Sequence, residues 1–236
     1  METGRLLVIA PHPDDEVLGP GATLARFAGE GHETSVCIVT RGDPSIFDET
    51  SIERVRREAV EAHRILGVAK TIFLDGFPAA LLDTVPHSSL NAALRGVVED
   101  VDPDVVLVPH PGDLHLDHRL VFESALVAVR PARERIPRAV YTYETLSETD
   151  WQAPHVGPAF QPTTFVDVTA SLDRKLEALA AYASQIRAFP YPRSIEAIRA
   201  LARQRGSAVG FEAAEAFALV RDVHAARPSR SRGGEA

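Results

Sequence analysis

Short apolar runs alternate along this chain with longer stretches in which apolar residues recur every three or four positions. The apolar runs predict β-strands at Arg5–Ala10, Thr34–Thr40, Thr71–Leu74, Asp104–Pro109 and Ala139–Glu144. The spacing of three and four residues predicts amphipathic helices near Val17–Glu30, Ile52–Leu66, Ser88–Val101 and Arg119–Val129. This alternation predicts an α/β fold, in which a mostly parallel sheet lies between two layers of helices in a three-layer, Rossmann-like arrangement.

The regular alternation ends after Glu144. Ser147–Thr164 is rich in proline and polar residues, which predicts a long loop. Beyond it we expect a strand at Phe165–Val168, helices at Ser171–Gln185 and Ser194–Arg205, and an edge strand at Ala216–Val220. The polar segment 227–236 predicts a disordered tail, so residues 1–226 are expected to form a single domain.

Composition narrows the class of protein. The 236 residues are 45% hydrophobic, which is enough for one sizeable core. A net charge of −8 argues against nucleic-acid and anionic-membrane partners, since both favour a basic surface. Cys37 is the single cysteine, which excludes a disulfide framework and a thiolate metal site. Without a signal-peptide pattern or an apolar run of about 20 residues, a cytoplasmic protein is expected; homo-oligomerisation stays open.

Two short polar runs follow predicted strands. Pro11–Glu16 has the sequence Pro-His-Pro-Asp-Asp-Glu and follows the first strand, and His115–His118 has the sequence His-Leu-Asp-His and follows the fourth. In doubly wound sheets with the usual strand order 3-2-1-4-5, the first and fourth strands are neighbours. Ligands bind beyond their carboxyl ends, where the strand order reverses. The two runs are therefore expected to meet in one crevice.

The first run contains residues that suit a metal. His12 and Asp15 are three residues apart at a strand-to-helix turn, so both could face one ion. A third ligand from the second run would give two nitrogens and one carboxylate, with a position left for water, as in catalytic zinc sites. Asp14 would then lie beside that water as a spare carboxylate. The alternative is that Asp14 or Asp15 caps the following helix.

The second run offers two imidazoles with one carboxylate between them. Either His115 or His118 can bind a metal while the other faces a substrate. Asp117 could orient an imidazole through its second nitrogen, as carboxylates around metal sites often do. The alternative is a solvated loop in which Asp117 caps the next helix.

These two runs resemble the hallmark motifs of the LmbE-like, or PIG-L, family of zinc-dependent N-deacetylases. In that family an (Ala/Pro)-His-Pro-Asp-Asp-Glu run follows the first strand and a His-x-Asp-His run follows a later one; both stand here unbroken. Individually weaker similarities extend the resemblance to about Arg221; they lie at Arg57-Glu58 before Ile65–Gly67, at Phe160–Val168 and at Lys175–Gln185.

The resemblance implies that His12, Asp15 and His118 bind Zn²⁺. Fe²⁺, Co²⁺ or Ni²⁺ are substitutes, because mixed nitrogen and oxygen sites discriminate poorly between such ions. It also implies that Asp14 is the general base and later the general acid. These roles agree with the chemistry of a metal-activated water beside a carboxylate.

The resemblance further implies that His115 stabilises the tetrahedral oxyanion and that Asp117 tunes His115. Some family members place a tyrosine two residues before the first histidine of the second motif, where it assists the oxyanion. Asp113 occupies that position here, so His115 and the metal are expected to do more.

The expected activity is hydrolysis that removes an acetyl group from the nitrogen of a small molecule containing an amino sugar of the N-acetylglucosamine type. An amidase acting on another small amide, such as a thiol conjugate, is the second interpretation. A non-catalytic metal- or sugar-binding module is the third, and the spare carboxylate of Asp14 argues against it. Arg41 and Arg57 are candidate substrate-binding residues, with ordinary surface charge as their alternative.

Overall fold

A seven-stranded sheet forms the centre of the computed structural model, which describes residues 4–131 and 136–224. The strands are β1 (Arg5–Ala10), β2 (Glu33–Ile38), β3 (Lys70–Phe73), β4 (Val105–Pro109), β5 (Ala139–Tyr143), β6 (Thr164–Asp167) and β7 (Ala214–Asp222). Their order is β3-β2-β1-β4-β5-β7-β6. The first five strands are parallel to one another, and β7 is antiparallel to both β5 and β6. The mostly parallel sheet is confirmed.

Helices connect these strands. They are α1 (Asp15–Leu18), α2 (Gly21–Gly29), α3 (Glu49–Leu66), α4 (His87–Val101), α5 (Leu116–Ala128), α6 (Leu172–Ala181) and α7 (Ile195–Ser207), with a short 3₁₀ turn at Leu82–Thr84. Gly67 ends α3 in the left-handed conformation at φ 79°, which a residue without Cβ adopts at little cost. No helix among the described residues combines the length and the apolar character that a membrane crossing requires. The cytoplasmic location stays a prediction.

Two apolar cores lie on opposite faces of the sheet. Successive side chains of a strand point to opposite faces. Accordingly, Leu6 and Val8 join a cluster with α2, α3, α6 and α7, whereas Leu7 and Ile9 join another with α4 and α5. All four are fully buried, and burying each stabilises the fold by about 1.5–3 kcal/mol relative to exposure. The three layers are therefore present as predicted.

Two predictions about the elements were wrong. The helix expected at Val17–Glu30 is broken between α1 and α2 at Gly19 and Pro20. The proline lacks an N–H, and a Cβ at Gly19 would lie 2.3 Å from the Tyr143 ring. The strand expected at an edge is β7, which instead lies between β5 and β6. Alternation of side chains predicts a strand but carries no information about its neighbours.

The reversal of strand order places both polar runs at one edge of the sheet. β1 pairs with β2 on one side and with β4 on the other, as the order 3-2-1-4-5 predicts. The first run begins directly after Ala10, and the second begins shortly after Pro109. Their side chains therefore share the crevice at this edge. The tail predicted at 227–236 lies outside the described residues.

Candidate metal centre

His12, Asp15 and His118 converge beyond the ends of β1 and β4. Oδ2 of Asp15 lies 3.2 Å from Nδ1 of His12 and 3.2 Å from Nε2 of His118. One potential ligand atom from each residue lies within 4.8 Å of the other two. Among the described residues, Asp15 Oδ1 and His118 Nε2 are buried without a hydrogen-bond partner. Buried polar atoms left unpaired are costly, so this arrangement fits a cation held by two nitrogens and a carboxylate.

The second nitrogen of each imidazole meets a buried carboxylate. His12 Nε2 donates to Asp117 Oδ2 at 3.0 Å, and His118 Nδ1 donates to Asp113 Oδ2 at 2.8 Å. A carboxylate can only accept, so in the neutral form of each ring the proton lies on this nitrogen, and the other nitrogen, which faces Asp15, is then able to bind an ion. Such carboxylates orient metal-binding imidazoles and raise their basicity. The position of the missing tyrosine thus holds a partner of His118, a role that the sequence reasoning missed.

Asp14 occupies an unusual backbone conformation next to this cluster. Its φ of 108° lies in the region that favours glycine, at a cost of about 1–3 kcal/mol for another residue. Its side chain makes no capping hydrogen bond to α1, so Asp14 does not act as the helix cap, and the Asp15 carboxylate accepts the backbone N–H of His12, which lies before the helix. The buried carboxylate of Asp14 instead accepts a bond from Arg193 Nη1 at 2.7 Å. The backbone strain therefore holds a carboxylate beside the candidate metal ligands.

A buried polar network centred on Glu16 stabilises the strand-to-helix turn that contains Asp14. Glu16 is fully buried, and its Oε2 accepts the backbone N–H of Asp14 at 3.1 Å. Its Oε1 accepts from Tyr182 Oη at 2.6 Å and from His63 Nε2 at 3.1 Å. Thr71 Oγ1 lies 2.8 Å from the other nitrogen of His63 and completes the chain. The last residue of the first motif thus anchors the strained backbone of Asp14.

Burial and neighbouring charges shift the pKa values of the site. Burial raises the pKa of Asp14 to about 7, although the Arg193 guanidinium opposes the shift. Burial lowers the pKa of His12, but bonds to Asp117 and Asp15 outweigh it and raise the value to about 9. Burial alone would raise the pKa of Asp15, yet the charge of His118 outweighs it and brings the pKa of Asp15 well below the usual range. A carboxyl group titrating near neutrality thus lies beside an ionised carboxylate, an arrangement typical of catalytic sites.

His115 lies 4.6 Å from His12 between ring centroids and caps α5. Its Nδ1 accepts the backbone N–H of Asp117 at 3.1 Å, so the proton of the neutral ring resides on Nε2. Burial and the nearby His12 lower the pKa of His115 to about 4, which makes the ring neutral at pH 7. The backbone N–H of Asp117 bonds to His115 Nδ1, and the charge of its carboxylate acts against the lowering of the His115 pKa. The carboxylate itself bonds to His12, and its Oδ2 lies 3.8 Å from His115 Nδ1. The tuning of His115 by Asp117 stays a prediction.

A cavity of about 390 Å³ opens beside these side chains. Its described lining is His12, Pro13, Asp14, Gly42, Phe47, Ser51, Ile52, Arg54, Val55, Ala79, Ala80, His115, Glu148, Ser184, Gln185 and Arg193. The two candidate substrate-binding arginines are absent from this lining. Arg41 pairs with Glu49 and Glu53 outside it, and Arg57 is exposed on α3. The arginines that line the cavity are Arg54 and Arg193.

Arg193 is the residue of the site that the sequence reasoning missed most completely. Its guanidinium contacts Asp14, Ser147 and Glu148, although Asp14 is 179 positions away in the chain. It lies near the end of the connection between α6 and α7, in a segment that carries no metal or nucleophile pattern. The available signal was its position just before the capping residue of α7, which does not indicate what its side chain contacts.

Comparisons with known proteins find relatives over most of the chain. A family model described as PIG-L, GlcNAc-PI de-N-acetylase, matches residues 7–129, which include both polar runs. A relative from Rhodococcus opacus (strain B4), named 1D-myo-inositol 2-acetamido-2-deoxy-alpha-D-glucopyranoside deacetylase, is 29% identical. That alignment covers 80% of this chain and 84% of the relative.

Solved structures share the fold over nearly the whole chain. A conserved protein from Thermus thermophilus is 31% identical with a TM-score of 0.75, over 96% of this chain and 99% of that one. The 4-carboxy-2-hydroxymuconate hydratase of Pseudomonas putida KT2440 also has a TM-score of 0.75, over 95% of this chain and 99% of that one, but is 23% identical. The second likeness shows the fold alone. One fold can host different reactions, so the reaction must be argued from the site.

Proposed function

Because the chain belongs to the PIG-L family of GlcNAc-PI de-N-acetylases, we propose that it is a metal-dependent hydrolase that removes an N-acetyl group from a small molecule containing an amino sugar. One observation carries the proposal. A set of two imidazoles and one carboxylate has unpaired buried atoms, and it lies beside a further carboxylate, Asp14, whose pKa is raised to about 7. This is the constellation that metal-assisted amide hydrolysis requires.

His12, Asp15 and His118 would hold the metal, for which Zn²⁺ is our first choice and Fe²⁺, Co²⁺ or Ni²⁺ are substitutes. When bound, such an ion lowers the pKa of water towards 7 and polarises a carbonyl group as a Lewis acid. The hydrogen bonds of the two imidazoles support this assignment, since loss of one proton from each ring leaves a lone pair on the nitrogen that faces Asp15.

Asp14 is the proposed general base. A carboxyl group with a pKa of about 7 is about half ionised at neutral pH, so it can accept a proton from the attacking water and return it to the leaving amine. Arg193 keeps the carboxylate facing the cavity. His115 would donate its Nε2–H to the developing oxyanion as a neutral imidazole, a contribution that such donors make mainly in the transition state.

The proposed substrate is a small amide of the N-acetylglucosamine type. The cavity beside Asp14 and His115 lies in the size range of small-molecule sites. It combines apolar walls, which include Phe47 and Val55, with polar groups such as Ser184 and Gln185. Similarity to the named deacetylase of Rhodococcus opacus supports the same chemistry.

Release of free amine from a panel of amides tests the proposal. The panel pairs N-acetylglucosamine, its myo-inositol glycoside and N,N′-diacetylchitobiose with small thiol-conjugate amides that lack a sugar. We expect zinc-loaded protein to cleave at least one sugar amide. Cleavage of the thiol conjugates alone would favour the second interpretation, an amidase on other amides.

Variants separate the ligands from the base. We expect H12A, D15A and H118A each to lower zinc content, whereas D14N should retain zinc and lose about a hundred- to ten-thousand-fold in kcat. The Asn side chain of D14N has nearly the same shape as Asp. The variant should therefore fold like the wild type, and a check of its fold serves as the control. Wild-type kcat in D14N would contradict the proposed mechanism.

A further inference from the structure

The turn over residues 145–150 contacts the metal-binding half of the site through a buried carboxylate. Thr149 Oγ1 donates to Asp113 Oδ1 at 2.6 Å, and Asp113 Oδ2 accepts from His118 Nδ1 at 2.8 Å. Asp113 is fully buried, so neither oxygen is solvated. Its orientation is therefore determined by the hydroxyl on one side and the imidazole on the other.

The same turn holds the other half of the site through an arginine. Ser147 Oγ accepts from Arg193 Nε at 2.7 Å, and Glu148 Oε1 accepts from Nη2 at 3.3 Å. The remaining arm of the guanidinium, Nη1, donates to Asp14 Oδ2 at 2.7 Å. Two contacts to one turn thereby orient the guanidinium of Arg193 towards Asp14. Because the guanidinium is planar and rigid, contacts at two of its nitrogens also fix the position of the third.

Internal hydrogen bonds fix the conformation of the turn. Thr149 Oγ1 accepts the backbone N–H of Thr145 at 2.9 Å, and Asp150 Oδ1 accepts that of Ser147 at 2.6 Å. The backbone carbonyl of Glu148 accepts the N–H of Leu114 at 3.1 Å, which ties the turn to the segment before the second motif. The hydroxyl of Thr149 thus accepts a hydrogen bond within the turn and donates one to Asp113.

We propose that the turn 145–150 is a shared positioning element, in which Thr149 acts through Asp113 on the candidate metal ligand His118 and Ser147 acts through Arg193 on Asp14. Thr149 and Arg193 are positioning residues in this scheme. The assignment of Asp14 as the base rests on the proposed function, whereas the effect on zinc affinity does not. The turn thus connects two hydrogen-bonded branches, one through Asp113 to His118 and one through Arg193 to Asp14.

Zinc affinity of the metal-free protein, measured by competition with a chelator, tests the first half. We expect T149V to weaken zinc binding by about three- to tenfold, less than the 10–100-fold typical of a direct partner of a ligand. T149S retains the hydroxyl and should restore the affinity. T145V is the matched control, because Thr145 is a buried threonine of the same turn whose Oγ1 has no partner among the described residues. Equal affinities of T149V and T145V would overturn this half.

Steady-state kinetics at saturating zinc test the second half. We expect R193Q to lower kcat about tenfold or more, since small displacements of a reacting group are costly, with KM within about twofold and zinc affinity unchanged. S147A removes one contact of the arginine and should give a smaller loss in the same direction. R205Q is the control, because Arg205 makes a comparable pair with Glu144 outside the cavity. A raised KM with unchanged kcat would make Arg193 a substrate contact and overturn its positioning role.

A double variant tests whether the two halves share one element. If they do, T149V should lower kcat even at saturating zinc, and T149V/R193Q should be little worse than R193Q alone. Coupling of this kind is expected only between residues of one network. Multiplicative losses would show two independent contacts and overturn the shared element.

Urea unfolding of the same three variants, T149V, R193Q and T149V/R193Q, in the metal-free state gives a double-mutant cycle without an enzyme assay. Non-additive stability losses are expected for T149V and R193Q, and additive losses would contradict the coupling. The zinc and unfolding measurements are informative whether or not any sugar amide is cleaved. Failure of the proposed function is therefore distinguishable from failure of the positioning element.

Discussion

Nε2 of His12 donates to Oδ2 of Asp117 at 3.0 Å, although the two residues lie 105 positions apart in the chain. The bond joins the first polar run to the second. Asp117 Oδ2 also accepts the backbone N–H of Ala80 at 2.8 Å, so the connection after β3 fixes the carboxylate as well. A carboxylate in the second run thus orients a candidate ligand in the first, and neither run forms the centre alone.

Zinc affinity should depend on this carboxylate. We expect D117N to bind zinc about 10–100-fold more weakly than the wild type, because a neutral amide polarises the His12 ring less than a carboxylate does. Chelator competition with the metal-free protein measures the effect. H115A is the comparison, since it removes the imidazole that Asp117 was predicted to tune. Reduced zinc affinity in H115A with wild-type affinity in D117N would contradict the observed pairing.

His115 should contribute to turnover as a neutral hydrogen-bond donor. We expect H115A to lower kcat by about 10²–10³-fold, as for the loss of one oxyanion donor, while zinc content is retained and KM changes little. Because the pKa of His115 is about 4, its ring does not lose a proton between pH 6 and 9. The alkaline limb of the pH–rate profile should therefore persist in H115A at a lower overall rate. Its disappearance would show that the wild-type ring acts as imidazolium.

Zinc binding should strengthen as the pH rises towards 9. The pKa of His12 is raised to about 9 in the metal-free protein, so below that pH a proton must leave before the ring can bind an ion. Below pH 9 the affinity should rise by about tenfold per pH unit for each proton displaced. Affinities measured at several pH values check this. An affinity independent of pH between 6 and 8 would contradict the raised pKa.

The raised pKa of His12 should make the metal-free protein less stable as the pH rises, whereas zinc binding becomes stronger. A pKa raised from 6.5 to about 9 contributes stability that is complete below pH 6.5 and lost as the pH rises through 9. Urea unfolding of metal-free protein should therefore show a loss of stability between these values. H12Q cannot hold the proton and serves as the control, which should lack this component.

Stability should also depend on a buried ion pair remote from the cavity. Lys175 Nζ contacts Glu215 Oε1 at 2.6 Å, and the Glu215 carboxylate accepts two N–H groups from the first turn of α2, those of Ala22 and Thr23. We expect E215A to lower the free energy of unfolding by about 3–5 kcal/mol, because it leaves a buried ammonium group without its counter-charge.

An exposed pair supplies the control for this prediction. Glu30 pairs with Arg26 at 2.8 Å on the surface of α2, and such pairs contribute about 0–1 kcal/mol. E30A should therefore change stability little. Denaturant unfolding of both variants under the same conditions gives the comparison, and equal small losses would show that the buried pair is dispensable.

The sequence by itself determined the seven strands and the edge of the sheet at which the two polar runs meet. Apolar runs predicted all seven strands to within about two residues at either end, because a buried strand is a short, mostly apolar run in the local sequence. Two motifs after β1 and β4 predicted where the polar residues would meet, because the strand order of doubly wound sheets is restricted. The roles of His12, Asp15 and His118 as ligands remain predictions.

Only the tertiary structure decided which side chains contact one another at that edge. The carboxylate of Asp117 proved to bond to His12, whereas only its backbone N–H bonds to His115, and Asp113 proved to orient His118. Arg193 entered the site from a segment without any motif. Local patterns encode burial and backbone conformation, whereas a hydrogen bond between distant residues depends on positions to within a few tenths of an ångström. Packing of the whole chain sets those positions.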